Sequence, residues 1–275
     1  MQLHFRVTPQ PGYTPILGPH NSPLKLLTFG LLRLNPQETY QAETGDQEAA
    51  LVILSGTCTV RCSDREWPHL GQRSHVFDGR ATTVYLPRGS AFSVSGETAV
   101  EIALCQAPAH GDAEPAVIRP EQVKARTVGM RNWQRRVENS LDERIPATRL
   151  VVGETFNPPG NWSSYPPHKH DVDALPQEVD MEEVYYFRLQ PPQGFGLQRI
   201  YLPERDLDVA YPILDGDVVA LPFGYHPVVA APGYSLYYLW CLAGRTTRLL
   251  QPHEDPAHAW IKQAEVLLRE GNNCK

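Results

Sequence analysis

Several large classes of protein are excluded by what this 275-residue sequence lacks. Its five cysteines include no CxxC pair, so neither a cysteine zinc site nor a redox motif is indicated. The 25 lysines and arginines do not exceed the 31 acidic residues, which argues against the basic stripe of a nucleic-acid surface. There is no apolar run of membrane-spanning length and no signal-peptide core in residues 1–13. These absences predict a cytoplasmic protein that binds neither nucleic acid nor membrane.

Catalytic motifs of two common kinds are also missing. The sequence has no Gly-rich phosphate loop and no serine-nucleophile motif, which leaves little support for nucleotide-dependent enzymes or hydrolases. What it does have is 26 prolines and 20 glycines, spread along the chain beside short runs rich in Val, Tyr and Leu. That composition is typical of many short strands joined by turns, and it predicts a mostly β fold.

A repeat divides the chain into two similar halves. The segments VYLPRG, at residues 84–89, and VALPFG, at residues 219–224, each read as a strand followed by a Pro-x-Gly turn, 135 positions apart. We therefore predict two β-barrels, in residues 1–115 and 116–275, with a linker-like stretch between them. A C-terminal helix is expected to start with Asp255 as N-cap and Pro256 at its first position and to end at Gly271.

The stretch from residue 161 to residue 188 concentrates possible metal ligands. His168 and His170 are two apart, so in an extended strand both imidazoles point to one face. Glu182 or Glu183 then opens the aromatic run VYYF, which favours a second strand. Glu183 is the better candidate because it shares a face with Tyr185, which leaves Glu182 for solvent or a supporting role.

A fourth ligand candidate follows the second Pro-x-Gly turn, where His226 leads into the next strand. Three imidazoles and one carboxylate predict a divalent ion, zinc or manganese first, with iron and nickel as alternatives that the same ligands suit. A single strand histidine is more often structural. Superposing the two turns, however, puts Ala91 where His226 stands, and the first half has no HxH, so the first barrel is predicted to hold no metal of this type.

The second half resembles a known family. Its motifs are GNWSSYPPHKHD, EEVYYFR, GFGLQRIY, GYHPVVAAPGY, YYLWCLAG and DPAHAW, and the first half adds GTCTVR, VFDG and VYLPRG. Together they are similar to the 5-deoxy-glucuronate isomerase family of myo-inositol catabolism, which belongs to the cupin superfamily and has two cupin barrels (a bicupin). The resemblance implies a metal bound by His168, His170, Glu183 and His226.

The implied reaction is an aldose-ketose isomerisation of 5-deoxy-D-glucuronate, a small sugar acid, to 2-deoxy-5-keto-D-gluconate. A divalent ion would polarise the carbonyl, and a base would move one proton between neighbouring carbons. Tyr185 and Tyr238 are our candidates for proton transfer, the latter on a strand expected to pair with the one that follows His226. Arg199 is the candidate for binding the carboxylate, because guanidinium forms paired hydrogen bonds with that group.

Two other functions fit the same residues. Cupins with such ligands also act as metal-dependent dioxygenases, which consume oxygen where an isomerase does not. A bicupin could instead bind a sugar acid without catalysis. The sequence leaves open the identity of the base, the choice between an enediol and a hydride shift, and the oligomeric state, although a homo-oligomer is possible through edge strands.

Overall fold

The computed structural model describes residues 1–272 and is built almost entirely of antiparallel strands. The first strands are β1 His4–Phe5, β2 Gly12–Leu17, β3 Thr28–Leu34, β4 Thr39–Glu43, β5 Gln47–Ser55, β6 Cys58–Cys62, β7 Arg65–Leu70, β8 Thr82–Leu86, β9 Ala91–Gly96, β10 Val100–Pro108 and β11 Ala116–Ile118. The others are β12 Lys124–Val128, β13 Arg135–Leu141, β14 Leu150–Asn157, β15 Trp162–Ser163, β16 His168–Lys169, β17 Met181–Gln190, β18 Gly196–Leu202, β19 Leu207–Ile213, β20 Val218–Leu221, β21 Val228–Ala230, β22 Ser235–Gly244 and β23 His253–Glu254. Short 3-10 helices cover Pro120–Gln122, Arg131–Trp133 and Pro203–Arg205, and helix α1 covers Trp260–Asn272.

Each half of the chain forms a two-sheet β-barrel. In the first, a six-stranded sheet (β11-β8-β5-β10-β3-β2) faces a four-stranded one (β4-β9-β6-β7), and the two enclose an apolar core. In the second, a seven-stranded sheet (β1-β20-β17-β22-β14-β13-β12) faces a four-stranded one (β15-β21-β18-β19) around another core. The mostly β class with two barrels and a C-terminal helix is confirmed.

A third core joins the halves, because the two large sheets pack face to face. Strand β17 shows how one sequence serves both sides. Its residues alternate, so Val184 and Tyr186 enter the shared core while Tyr185 and Phe187 enter the core of the second barrel. A strand that is buried on both faces reads as a continuous apolar run, which is why this segment shows no polar alternation.

Hydrogen-bonded strands cross the expected division at residue 115 in both directions. Strand β1 pairs with β20 of the second barrel, with His4 opposite Val219. Strand β11 pairs with β8 of the first barrel, with Val117 opposite Val84. The division into residues 1–115 and 116–275 stays a prediction, because β1 from the first part completes the large sheet of the second barrel and β11 from the second part completes that of the first.

Two carboxylates bind the backbone of the opposite half. Glu182 is 1% exposed and accepts hydrogen bonds from the N–H groups of residues 25–27, at 2.7, 2.7 and 3.3 Å. Glu48, on β5, accepts from the N–H groups of residues 148–150 at 2.7, 2.7 and 2.8 Å. Glu182 therefore does not face solvent. It joins the two halves, and Glu48 does the same from the other side.

The C-terminal helix lies where the sequence places it, but its predicted start is wrong. It begins at Trp260 and continues through Gly271 to Asn272. Asp255 instead caps the turn of residues 256–259, which leads directly into the helix, and it accepts the N–H of Ala257 at Oδ1 (2.9 Å) and the hydroxyl of Tyr201 at Oδ2 (2.5 Å). Within residues 1–272, no helix has both the length and the hydropathy needed to cross a bilayer.

We expect Glu182→Gln to lower the free energy of unfolding by about 1.5–3 kcal/mol. In the natural protein three N–H groups donate to the two oxygens of a buried carboxylate, whereas the neutral amide of glutamine has only one acceptor oxygen. Denaturant unfolding measures this change. Glu66→Gln is the control: its carboxylate forms an exposed ion pair with Arg61, whose loss should leave the free energy of unfolding nearly unchanged. Equal effects of the two substitutions would contradict the joining role of Glu182.

Candidate metal centre

Three of the predicted ligands meet at one end of the second barrel. The ligand atoms of His170, Glu183 and His226 all lie within 4.8 Å of one another, and the three side chains are buried. Glu183 Oε2 is 3.1 Å from His170 Nε2 and 3.3 Å from His226 Nε2. Two atoms that each lie about 2.1 Å from a tetrahedral zinc ion are about 3.4 Å apart, so these separations match those of a shared ion.

His168 lies beside this group without being part of it. Its ring centroid is 5.0 Å from that of His226 and 6.4 Å from that of His170. It is carried by the two-residue strand β16, which is paired only with β23. The structure thus gathers all four predicted side chains in one place, with His168 as the outermost, and the ligand assignment itself stays a prediction.

The hydrogen bonds of two rings determine which nitrogen faces the carboxylate. His170 Nδ1 is 2.8 Å from the carbonyl of Met181, and His226 Nδ1 is 2.8 Å from the carbonyl of Gly224. A carbonyl oxygen only accepts, so each Nδ1 carries the proton and donates. In a neutral ring the Nε2 then presents a lone pair, which is the form in which histidine binds a metal.

A cation fits between these groups on electrostatic grounds. Burial lowers the pKa of His226 to about 3, so its ring is neutral near pH 7. Its Nε2 is buried without a hydrogen-bond partner among the described residues, and it faces the Glu183 carboxylate. Two electron-rich atoms at 3.3 Å repel each other unless a positive charge lies between them. The donor set therefore suits a divalent ion with nitrogen and oxygen ligands.

A buried charge cluster connects the segments that carry these histidines. The Lys169 ammonium contacts the carboxylates of Asp171 and, at 2.9 Å, Glu178. Lys169 therefore faces away from the candidate metal ligands, as expected. Asp171 Oδ2 accepts the Gly224 N–H at 2.8 Å. Burial acts to raise the pKa of Asp171, but the hydrogen bonds from Lys169 and Gly224 outweigh it, so the pKa is lowered. Asp171 thus ties the HxH segment to the turn whose carbonyl orients His226.

The two candidate tyrosines lie side by side next to the ligands. The ring centroids of Tyr185 and Tyr238 are 4.3 Å apart, and Tyr185 is 5.9 Å from the ring of His226. Each hydroxyl has a serine partner: Ser164 Oγ lies 2.9 Å from that of Tyr185, and Ser163 Oγ contacts that of Tyr238. Burial, together with the nearby Glu183 charge, raises the pKa of Tyr185 well above 10. Its phenol is therefore a hydrogen-bond donor at neutral pH.

The strand that carries Tyr238 has other neighbours than predicted. Strand β22 pairs with β14 and β17, whereas the strand after His226, β21, pairs with β15 and β18. Tyr238 still faces the site because it stands opposite Phe187 and points into the same core. Tyr237 points the other way and donates to Glu154 at 2.6 Å.

Arg199 is not brought to this site. On β18, Gln198 and Ile200 point inward, so Arg199 points outward, and its guanidinium pairs with Asp208 at 2.8 and 2.7 Å. The cation that lies at the site instead is Arg135, the first residue of β13. It belongs to the arginine-rich segment of residues 124–139, a composition compatible with an anionic ligand that did not single out one arginine.

One cavity of about 400 Å³, a size suited to a small molecule, is lined by His168, His170, Glu183, the two tyrosines and Arg135, with His226 behind its wall in contact with Glu183. No second group of metal-ligating side chains occurs in the part of the chain that the structure describes. Strand pairing explains the difference between the halves. Ala49 stands opposite Leu86 as Glu183 stands opposite Leu221, so alanine occupies the equivalent carboxylate position in the first barrel.

The fold and the site define a two-barrel protein of the cupin type. Oxalate decarboxylase from Lactobacillus farciminis aligns with a TM-score of 0.63, covering 92% of this chain and 88% of its own, at 12% identity, which is a likeness of fold alone. Residues 8–261 match the model of the KduI/IolB family, and the chain belongs to this family.

Relatives at higher identity are of one kind. An IolB-like protein from Salmonella typhimurium has a TM-score of 0.91 at 35% identity, covering 95% of this chain and all of its own. The 5-deoxy-glucuronate isomerase of Geobacillus kaustophilus is 42% identical over 243 residues, 88% of each chain. That of Geobacillus thermodenitrificans is 39% identical over 253 residues, 92% of each chain. The family resemblance stated from the motifs is confirmed.

Replacing Asp171 by alanine should weaken metal binding about 10- to 100-fold, because the HxH segment loses its bond to the turn that orients His226. Competition with a chromophoric chelator gives the metal dissociation constant directly. Asp208→Ala, which removes an exposed carboxylate on the outer face of β19, is the control and should leave that constant unchanged. An unchanged constant in Asp171→Ala would show that the cluster does not support the site.

Proposed function

We propose that this chain is a metal-dependent 5-deoxy-glucuronate isomerase that forms 2-deoxy-5-keto-D-gluconate. One observation carries the proposal: a His/Glu cluster and two buried tyrosines lie together at a small cavity. The chain that forms this cavity belongs to the KduI/IolB family and is 42% identical to a curated 5-deoxy-glucuronate isomerase. The conversion makes an aldehyde into an alcohol and the neighbouring alcohol into a ketone. It is balanced by moving hydrogen within the substrate, so it needs no oxidant.

Four side chains would hold the ion: His168, His170, Glu183 and His226, with zinc or manganese ahead of iron or nickel. A bound divalent ion supplies Lewis-acid polarisation of the aldehyde and the adjacent hydroxyl. The shared Glu183 carboxylate lies on β17, within a sheet that is packed on both faces, so the position of this ligand is rigidly supported.

The tyrosines handle protons beside the ligands. Tyr185 Oη keeps its proton at neutral pH and donates it to a substrate oxygen on which negative charge develops. Ser164 Oγ, at 2.9 Å, orients that hydroxyl. Tyr238 Oη, held by Ser163, stands beside it as the second group that exchanges a proton with the substrate.

The proposal also assigns a role to each barrel and a cellular setting to the protein. The catalytic barrel is that of residues 116–275, and the barrel of residues 1–115 supports it without a metal. The partner is a small sugar acid, and we place the protein in the cytoplasm, in myo-inositol catabolism, without nucleic-acid or membrane partners and with the possibility of a homo-oligomer.

Turnover of 5-deoxy-glucuronate tests the function. We expect protein of known metal content to form the ketose without oxygen uptake, as followed by NMR in deuterium oxide with an oxygen electrode in parallel. Tyr185→Phe should reduce kcat about 100- to 10,000-fold and retain its metal, because only the proton donor is lost. Tyr234→Phe, which changes a ring packed against the same barrel core that does not line the cavity, should turn over normally.

Failure to form the ketose, or oxygen uptake that matches product, would contradict the isomerase. Full activity in Tyr185→Phe would remove only this tyrosine from the mechanism.

A further inference from the structure

Arg135 is a buried cation that lies near the charge of Glu265, a carboxylate that lines the same cavity and accepts the Nε1–H of Trp133. It is 9% exposed, and no carboxylate lies within ion-pair distance of it among the side chains that the structure describes. Among the described residues the other buried arginine, Arg73, is paired and contacts Glu154 at 2.6 Å. Because removing an arginine from water is costly unless an anion compensates it, an unpaired guanidinium that lines a cavity is suited to an anionic ligand.

The contacts of Arg135 leave one edge of the guanidinium available. Its Nη1 donates to the carbonyls of Trp133, at 3.1 Å, and Tyr165, at 3.0 Å. Within residues 1–268, no protein acceptor forms a hydrogen bond with its Nε or Nη2. These two atoms form the edge of the guanidinium that binds a carboxylate with two parallel hydrogen bonds.

A glycine makes room for this arrangement. Gly129 has a φ of +73°, and a Cβ at this position would lie 2.3 Å from the carbonyl oxygen of Trp133 and 3.0 Å from Arg135 Nη1. Both neighbours would have to shift. The absence of a side chain at Gly129 therefore lets the Trp133 carbonyl and the guanidinium approach each other closely enough for their 3.1 Å hydrogen bond.

The position of Arg135 relates it to the proposed chemistry. It lines the same cavity as His168, Tyr185 and Tyr238. The carbonyl that it binds belongs to Tyr165, which directly follows the two serines that hold the tyrosine hydroxyls. One short segment thus positions the proton donors and the cation together.

We propose that Arg135 binds the carboxylate of the substrate through Nε and Nη2 and thereby makes the site selective for sugar acids over neutral sugars. The inference rests on the proposed function and extends it by assigning the two ends of the substrate. The aldehyde end lies at the His/Glu cluster, and the acid end lies at Arg135.

The test compares 5-deoxy-glucuronate with 5-deoxyglucose, in which a hydroxymethyl group replaces the carboxylate. For Arg135→Gln we expect kcat/KM for the acid to fall at least about 100-fold, mainly through KM, with little change for the neutral sugar. Arg135→Lys should fall between the two, because it keeps the charge but loses the paired geometry. Arg136→Gln is the matched control, since Arg136 lies on the opposite face of β13, over Phe156.

The outcomes separate the two proposals. If the natural protein isomerises the acid and Arg135→Gln keeps the same preference for acid over neutral sugar, the anchor is wrong and the isomerase stands. If the natural protein does not isomerise the acid, calorimetric titration with glucuronate tests carboxylate binding by Arg135 alone. The natural protein should then bind glucuronate at least about 100-fold more tightly than Arg135→Gln. Equal binding would overturn the inference. Should Arg135→Gln fail to fold, the same comparison with Arg135→Lys decides.

Discussion

The close approach of one carboxylate oxygen to two imidazole nitrogens is the constraint on which the second barrel depends. Glu183 Oε2 faces the Nε2 atoms of His170 and His226, while backbone carbonyls hold the opposite nitrogen of each ring. The Nε2 of His226 has no hydrogen-bond partner among the described residues, so its lone pair and the carboxylate together suit a cation. The neighbouring tyrosines and arginine are placed around this donor set.

The first barrel contributes to this site through packing and backbone contacts. Strand β17 carries Glu183 on one face and, on the other, side chains that fill the core shared by the two large sheets. The adjacent Glu182 binds the backbone of the first half, and Glu48 binds the second in return. Because the strand register makes Glu48 the counterpart of Glu182, and Ala49 that of Glu183, the halves share a joining device while only one keeps a ligand.

Local spacing predicted much of the site. The HxH pair, the alternation that puts Glu183 and Tyr185 on one face, and the turn before His226 are all short-range features, and the structure brings these residues together. Properties that depend on distant pairing were out of reach. Three features require knowledge of which segments meet: the neighbours of β22, the contacts of Glu182 with residues 25–27, and the pairing of β1 with β20.

Two misassignments have a simpler cause. Arg199 alternates with the inward-facing Gln198 and Ile200, so its outward direction follows from the period of the strand once the apolar face is identified. Asp255 followed by proline looks like a helix start, but its carboxylate is engaged by a turn and by Tyr201. Arg135 could not be selected among its neighbouring arginines, because its inward direction depends on where the strand begins after the turn of Arg131–Trp133.

The most direct test of the metal centre is a crystal structure of the metal-loaded protein with anomalous diffraction collected at the absorption edge of the ion. The account predicts one strong peak in the second barrel, about 2.0–2.2 Å from Nε2 of His170 and His226 and from the Glu183 carboxylate if the ion is zinc, with His168 completing the set, and no comparable peak in the first barrel. A peak at another place, or fully loaded protein whose ion does not contact Glu183, would contradict it.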